Sequence, residues 1–302
     1  MPVIVIATAF GGPDVLSVTE VPPEQPGPGE ALIEVRAAGV NPVDFKTYSG
    51  QFGTDPARLP LRPGSEAAGL VTAVGPGGAQ GPAGPVAAGD EVIAYRAPGA
   101  YASALVVPAQ ALVPKPAALD WQQAAGLMLT GTSAWHALAA TGVGPGDTVL
   151  IHGAAGGVGI MAVQLAAARG AKVVATASPV RHDFLRGLGA TPVAYGDGLA
   201  DRVRAAAPGG VNAAVDFAGT DEAVDVSVAV VPDRSRIATL VAFGRGQEAG
   251  IKVLGGVPAR TRAPASATPR GWTWPGSPGR ASCGCSSPGP SRSPTPPGRT
   301  AL

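Results

Sequence analysis

Seven residues, Gly153-Ala154-Ala155-Gly156-Gly157-Val158-Gly159, join an apolar run to an alanine-rich one, and glycines at that spacing suit close approach of a phosphate group. Gly153 lets the chain turn tightly. Gly156 and Gly157 leave room for a diphosphate beside the backbone, and Gly159 lets the helix pack closely on the strand before it. The helix start then offers unpaired N–H groups and the positive end of its dipole to the anion. A glycine pattern alone is a weak signal, and a plain structural turn is the alternative. The strand before it, the helix after it and a second strand at the expected distance favour nucleotide binding.

The end of that second strand discriminates between the two nicotinamide dinucleotides. Selectivity for NADH usually comes from an Asp or Glu roughly 20 residues after the turn, bonded to the ribose 2′-hydroxyl. This chain has Thr176-Ala-Ser-Pro-Val-Arg-His182 there, with no carboxylate. Ser178 and Arg181 can donate to a 2′-phosphate instead, which favours NADPH. A solvated residue at a helix start is the other reading of Arg181. His152 and His136 have no carboxylate or cysteine at ligand spacing and are not read as catalytic bases.

These residues need a scaffold, and its pattern changes along the chain. From Val3 to about Val113, short β-type runs (3–7, 15–19, 31–37, 69–74, 91–95 and 102–107) alternate with Pro- and Gly-rich reversals. Residues 75–89 read as a surface loop within that β domain. Residues 118–128 and 132–141 read as two bridging helices, the first capped by Asp120. Strands then alternate with helices: strands over 148–152, 172–177, 192–194, 212–216 and 237–243, helices over 157–169, 180–188, 199–206 and 221–228. That alternation predicts a doubly wound parallel sheet, because parallel neighbours need crossovers that helices supply.

Composition sets limits. The formal net charge of +1 includes six arginines and no acidic residue or lysine beyond Gly255, so residues 1–255 carry −5 and offer no basic patch for nucleic acid. The N-terminus lacks the basic flank and cleavage site of a secretory signal, and no apolar run of the length needed to span a bilayer occurs; a cytoplasmic protein is expected. Both cysteines, Cys283 and Cys285, lie past residue 255, so residues 1–255 contain no thiol for zinc or covalent catalysis.

The order of β domain, helical bridge and "AAGGVG" domain resembles the medium-chain dehydrogenase/reductase superfamily, in its zinc-independent quinone oxidoreductase group. Further matches are Gly39-Val-Asn-Pro-Val-Asp-Phe-Lys46, Pro63-Gly-Ser-Glu-Ala-Ala-Gly69, Thr130-Gly-Thr-Ser-Ala-Trp-His-Ala137 and Leu185-Arg-Gly-Leu-Gly-Ala190. The resemblance implies an α/β protein. Residues 1–120 would form a GroES-like β-rich catalytic domain, 121–255 a Rossmann NADP-binding domain with a doubly wound parallel sheet, and 256–302 a disordered C-terminal tail. It implies reduction of a quinone or an α,β-unsaturated carbonyl compound by hydride from NADPH. Zinc-dependent relatives carry Cys where this chain has Asn41 and His near Ser65, so the resemblance implies no metal. By the same resemblance Asn41 and Thr130 line the nicotinamide, and Phe243, on a loop after the last clear strand, contacts the cofactor. Tyr195 resembles a tyrosine near the adenosine phosphate, or is a rim aromatic. Lys46 is the candidate electrophile, an ammonium that hydrogen-bonds the acceptor carbonyl; a solvent-facing lysine is the alternative. Glu66 reads as a structural hydrogen-bond acceptor. Tyr48 stands where many relatives have Arg, which counts against carboxylate binding at that position. Relatives dimerise through the strand near Ile251–Leu254, so a homodimer is expected.

Residues 256–302 are rich in Pro, Gly, Ser and Arg, and their only branched aliphatics are Val257 and Leu302. Such a segment buries too little apolar surface to offset its ordering entropy. A functional tail, a linker and a shifted reading frame compete. With GC-rich codons, sliding the frame by two bases turns Gly271–Pro275 into "LDLA", Ser282–Pro288 into "LRVLVA" and Arg292–Thr300 into "LADAAGAH". The last resembles a segment of the family's C-terminus, so a frameshift near residues 256–260 is expected. It would remove the closing segment of the substrate cleft; dinucleotide binding with little or no turnover, for that reason or because the protein's use is structural, is the alternative function.

Overall fold

The computed structural model describes residues 1–255, and the expected disorder and frameshift of residues 256–302 lie outside them. Those residues fall into two compact units, Met1–Leu129 and the residues from Thr130 on. The expected boundary after residue 120 was drawn where composition changes.

In the first unit, alternating apolar residues and tight reversals build strands β1 (Val3–Ala7), β2 (Leu16–Glu20) and β3 (Glu30–Ala38). A helix the β-type pattern had hidden, α1 (Pro42–Tyr48), comes next. Pro42 presets its first turn, and the Asp44 side chain accepts from the Asn41 amide at 2.9 Å. Strands β4 (Glu66–Val74), β5 (Ala79–Gly81), β6 (Gly84–Val86), β7 (Glu91–Tyr95), β8 (Ala104–Pro108) and β9 (Leu112–Pro114) follow, with α2 (Trp121–Ala125). The Gly/Pro segment read as a loop thus contains the β5–β6 hairpin. The main sheet is antiparallel in the order β8-β3-β4-β7-β9, and Ile33, Val71, Val92 and Leu105 lie in its core.

The second unit contains α3 (Met128–Ala140) from Thr130 on, β10 (Thr148–His152), α4 (Gly157–Ala168), β11 (Lys172–Thr176), α5 (His182–Gly187), β12 (Ala190–Val193), α6 (Leu199–Ala206), β13 (Ala213–Asp216), α7 (Asp221–Val230), β14 (Ile237–Thr239), α8 (Phe243–Glu248) and β15 (Lys252–Val253). Its six strands are all parallel, in the order β12-β11-β10-β13-β14-β15. The order reverses between β10 and β13, the position at which doubly wound sheets open a ligand crevice. Strand period 2 explains the two cores: Val149 and Ile151 of β10 pack on one face with α4, and Leu150 packs on the other with α6 and α7. The fold is the expected α/β pair, a GroES-like sheet and a Rossmann sheet.

Three boundaries need correction. The first bridging helix shrinks to Trp121–Ala125, started by the reciprocal Asp120–Gln123 cap and stopped at Gly126, and the second begins at Met128. The expected helix from residue 180 begins as a 3₁₀ turn at Pro179–Arg181 before α5. The strand expected over 237–243 ends at Thr239, whose Oγ1 accepts from the amides of Val241 (3.1 Å) and Ala242 (2.9 Å) and turns the chain off the ladder. Phe243 therefore opens α8 rather than sitting on a loop, and the sheet continues to β15.

Candidate functional site

In the second unit β10 runs into the glycine turn, and sterics explain each glycine the turn needs. Gly153 has φ +67°, in the left-handed region that favours glycine. A Cβ on Gly159 would stand 2.3 Å from the Gly153 carbonyl oxygen, so α4 packs against the turn itself. A Cβ on Gly157 would meet Thr130 Cγ2 at 3.1 Å, which places Thr130 beside the start of α4. The turn is fixed by Ala154 N donating to the Thr176 carbonyl (3.2 Å) and Gly156 N to that of Gly153 (3.0 Å). Gly156, the residue before α4, has no side chain to cap the helix, so the first-turn amides are available to an anion. Ala155 and Val158 are partly buried within the same segment.

Ser178 and Arg181 both lie in the turn that follows β11, linked by the Arg181 amide donating to the Ser178 carbonyl at 2.9 Å. Both are half-buried. Asp183, the nearest acidic residue in sequence, pairs with Arg186 instead. Tyr195, just past β12, is 60% exposed.

Sequence reading missed a buried layer at the carboxyl ends of four adjacent strands, β11, β10, β13 and β14: Thr176, His152, Asp216 and Thr239. Asp216 accepts from the amides of Ala218 (2.8 Å) and Gly219 (3.0 Å) and from Thr239 Oγ1 (2.7 Å), fixing the loops beyond β13 and β14. His152 Nδ1 bonds Thr176 Oγ1 at 3.2 Å, while its Nε2 has no partner among the described residues. Burial pushes the His152 imidazole down to about 4, with the Asp216 charge opposing, so the ring is neutral. A charged residue ending an apolar strand, as in Ala213-Ala-Val-Asp216, was the available signal.

The first unit holds a second polar group, at the start of α1. Asn41 is buried, and its Nδ2 donates to Glu66 Oε1 at 2.9 Å, while Glu66 Oε2 accepts from the Leu129 amide at 2.8 Å. Glu66 is fully buried, and burial pushes its carboxyl above the usual range despite those bonds. Asp44 accepts from Ser65 Oγ (3.0 Å) and Tyr101 Oη (2.9 Å) in addition to the Asn41 amide. The Tyr101 hydroxyl is raised by burial first and by Asp44 second. Beside this group lies a cavity of about 470 Å³ lined in part by Asp44, Tyr48, Ser65, Tyr95 and Arg96. Lys46 is half-buried on α1 and is not among its lining residues.

Among the described residues no three or more His, Cys, Asp or Glu side chains converge to hold a metal ion, and no helix is long and apolar enough to cross a membrane.

Comparison with known proteins gives matches in both units. Residues 27–117 match the alcohol dehydrogenase GroES-like domain, and residues 157–259 match the zinc-binding dehydrogenase domain. The synaptic vesicle membrane protein VAT-1 homolog of Mus musculus is 35% identical over 225 residues, 72% of this chain and 54% of that protein. The chain thus spans about half the length of the curated relatives it matches. The Escherichia coli quinone oxidoreductase complexed with NADPH is similar at 30% identity and TM-score 0.72, with 84% of this chain and 81% of that one covered. The CurK enoyl reductase is similar at 28% identity and TM-score 0.73, with 83% and 80% covered.

Proposed function

The chain belongs to the quinone oxidoreductase group of the medium-chain dehydrogenase/reductase superfamily, and from that premise we propose that it reduces a quinone or an activated C=C bond with NADPH, without zinc. One observation carries the reading. A glycine turn held by a left-handed Gly153 and by a Gly159 whose Cβ position is filled by backbone opens on free helix amides, and the turn after the neighbouring strand offers Ser178 and Arg181 in place of a carboxylate. NADPH, when bound, supplies the hydride.

The roles follow from chemistry. The turn Gly153–Gly159 holds the diphosphate through the first amides of α4, and Ser178 and Arg181 hold the 2′-phosphate. Asn41 and Thr130 line the nicotinamide, and Tyr195 and Phe243 contact the cofactor's remaining surface. Asn41 is held for this task by its bond to Glu66, which fixes the amide's orientation. Lys46 donates to the acceptor's carbonyl oxygen and stabilises the enolate or hydroquinone oxyanion as charge develops; solvent supplies the proton. The acceptor is a small molecule, the protein is cytoplasmic, and β15, at the sheet edge, joins two copies in a homodimer.

Titration of the full chain with NADPH and NADH, followed by nicotinamide fluorescence, tests the binding. Consumption of NADPH with 1,4-quinones, enones and enoyl thioesters tests the reaction, alongside a frame-corrected chain. The expected outcome is tighter binding of NADPH and oxidation with at least one acceptor class; equal affinity for NADH would overturn the cofactor assignment. A second reading is dinucleotide binding with little or no turnover. Saturable NADPH binding without oxidation by any acceptor, frame-corrected or not, would establish it.

A further inference from the structure

The cavity of about 470 Å³ in the first unit carries an unbalanced charge. Its lining includes one carboxylate, Asp44, and two guanidiniums, Arg62 and Arg96. Asp44 is buried and already accepts from the Asn41 amide, Ser65 Oγ and Tyr101 Oη, so its charge is spread over three donors. Arg62 faces Glu24 at 3.5 Å. Arg96 enters no ion pair among the described residues, and its Cζ lies 5.8 Å from the centroid of the Tyr95 ring.

The backbone under Arg96 is unusual in the same direction. Arg96 has φ +57°, the only positive φ on a non-glycine residue among those described. Bulky L-residues rarely adopt this conformation, and it persists only where the surroundings over-determine it. They do so here. Tyr95 pairs with Glu66 across β7 and β4, and then the amides of Ala97, Gly99 and Tyr101 donate to the carbonyls of Ser65 (3.0 Å), Gly64 (3.1 Å) and Pro63 (3.2 Å). The loop carrying Arg96 is zipped onto the opposite wall of the cavity. The result is a cation on a fixed backbone, exposed at the rim of a cleft whose other surfaces include Val43, Leu61 and the rings of Tyr48 and Tyr95.

We propose that Arg96 is a specificity-determining residue that selects an acceptor bearing an anionic oxygen group, a carboxylate, sulfonate or phosphate, on an otherwise apolar frame. A guanidinium offers two parallel N–H donors to such a group and stays charged across the accessible pH range. The choice of reactive group rests on the proposed reduction; the charge preference rests on the cavity alone.

The test uses 4-phenyl-3-buten-2-one carrying a para-carboxylate, and its para methyl ester. Calorimetric titration of the full chain with each compound is expected to show the carboxylate bound at least about ten-fold more tightly. Arg96→Asn removes the charge and keeps a residue that tolerates positive φ. It is expected to abolish the difference without changing ester affinity, and Arg96→Lys should retain part of it. Equal binding of the two compounds by the native chain, which needs no variant to fold, would overturn the proposal, as would a preference surviving in Arg96→Asn. NADPH oxidation is followed separately with both compounds. Its absence alongside a preserved binding preference would count against the reductase reading and support the charge selection.

Discussion

Replacing Gly159 by Ala tests whether the glycine turn is shaped for an anion. The added methyl carbon would stand 2.3 Å from the Gly153 carbonyl oxygen, 2.6 Å from Ala154 Cα and 2.7 Å from the Ala154 carbonyl carbon. All three atoms are backbone, so no side chain can rotate away, and the helix or turn must move by about 1 Å to restore an ordinary contact. Overpacking of this kind costs about 1–3 kcal/mol. At about 2–4 °C per kcal/mol for a chain of this size, the melting temperature should fall by roughly 2–12 °C. The same displacement carries the first amides of α4 out of hydrogen-bond range of a diphosphate. Bonds to charged groups contribute about 1.5–3 kcal/mol each, so NADPH affinity should drop at least about ten-fold. Thermal melts with and without NADPH, with fluorescence titration, read both effects. Gly157→Ala is the control: its methyl would meet only Thr130 Cγ2 at 3.1 Å, a side-chain atom that can yield, so its melting temperature should hardly change. Gly159→Ala with unchanged melting and unchanged NADPH affinity would refute the argument.

Arg181→Ala should weaken NADPH by about ten-fold or more while leaving NADH nearly unaffected, since the lost partner is the 2′-phosphate; competition titrations check this. Asp216→Ala leaves the buried Thr239 hydroxyl without its acceptor, and at about 1–3 kcal/mol for one buried orphan it should cost at least about 1 kcal/mol in urea unfolding; the amides of Ala218 and Gly219, nearer the surface, can turn to water. His152 is lowered in the folded state from 6.5 to about 4, so between those values the unfolded chain binds a proton that the folded chain does not. Its contribution is intact above pH 6.5 and is lost as pH falls toward about 4, at up to about 1.4 kcal/mol per pH unit. Glu66, raised by burial, gives the opposite slope above its ordinary value, so the His152 effect is read as the difference between the native chain and His152→Gln across that window.

Much of the fold was legible because its causes are local. The β10–turn–α4 segment was readable from glycine positions, since each glycine answers to atoms within a few residues: Gly159 to Gly153 and Ala154. Asp120 was readable as a cap because its partner, Gln123, is three residues away. The strand ending at Thr239 was read too long because Val-Ala-Phe continues its apolar run, and propensity cannot show that the Thr239 hydroxyl captures two amides. α1 was hidden for a similar reason, its Asn-Pro-Val-Asp start lying inside a β-rich stretch.

The candidate site divides along the same line. By itself the sequence determined the glycine turn, the carboxylate-free second strand and the alternation that demands a parallel sheet, because each depends on dihedral preference or on periods of 2 and 3.6 residues. Only the tertiary structure decided what those elements bring together. Sheet register aligned His152 with Asp216 and set Thr176 and Thr239 on either side. Chain reversal brought Tyr101 onto Asp44, 57 positions away, and so spread a buried charge over donors from three segments. The same reversal zipped the Arg96 loop onto Pro63–Ser65. Such pairings are selected by the energy of burying polar groups with their partners satisfied, a quantity that no window of neighbouring residues contains.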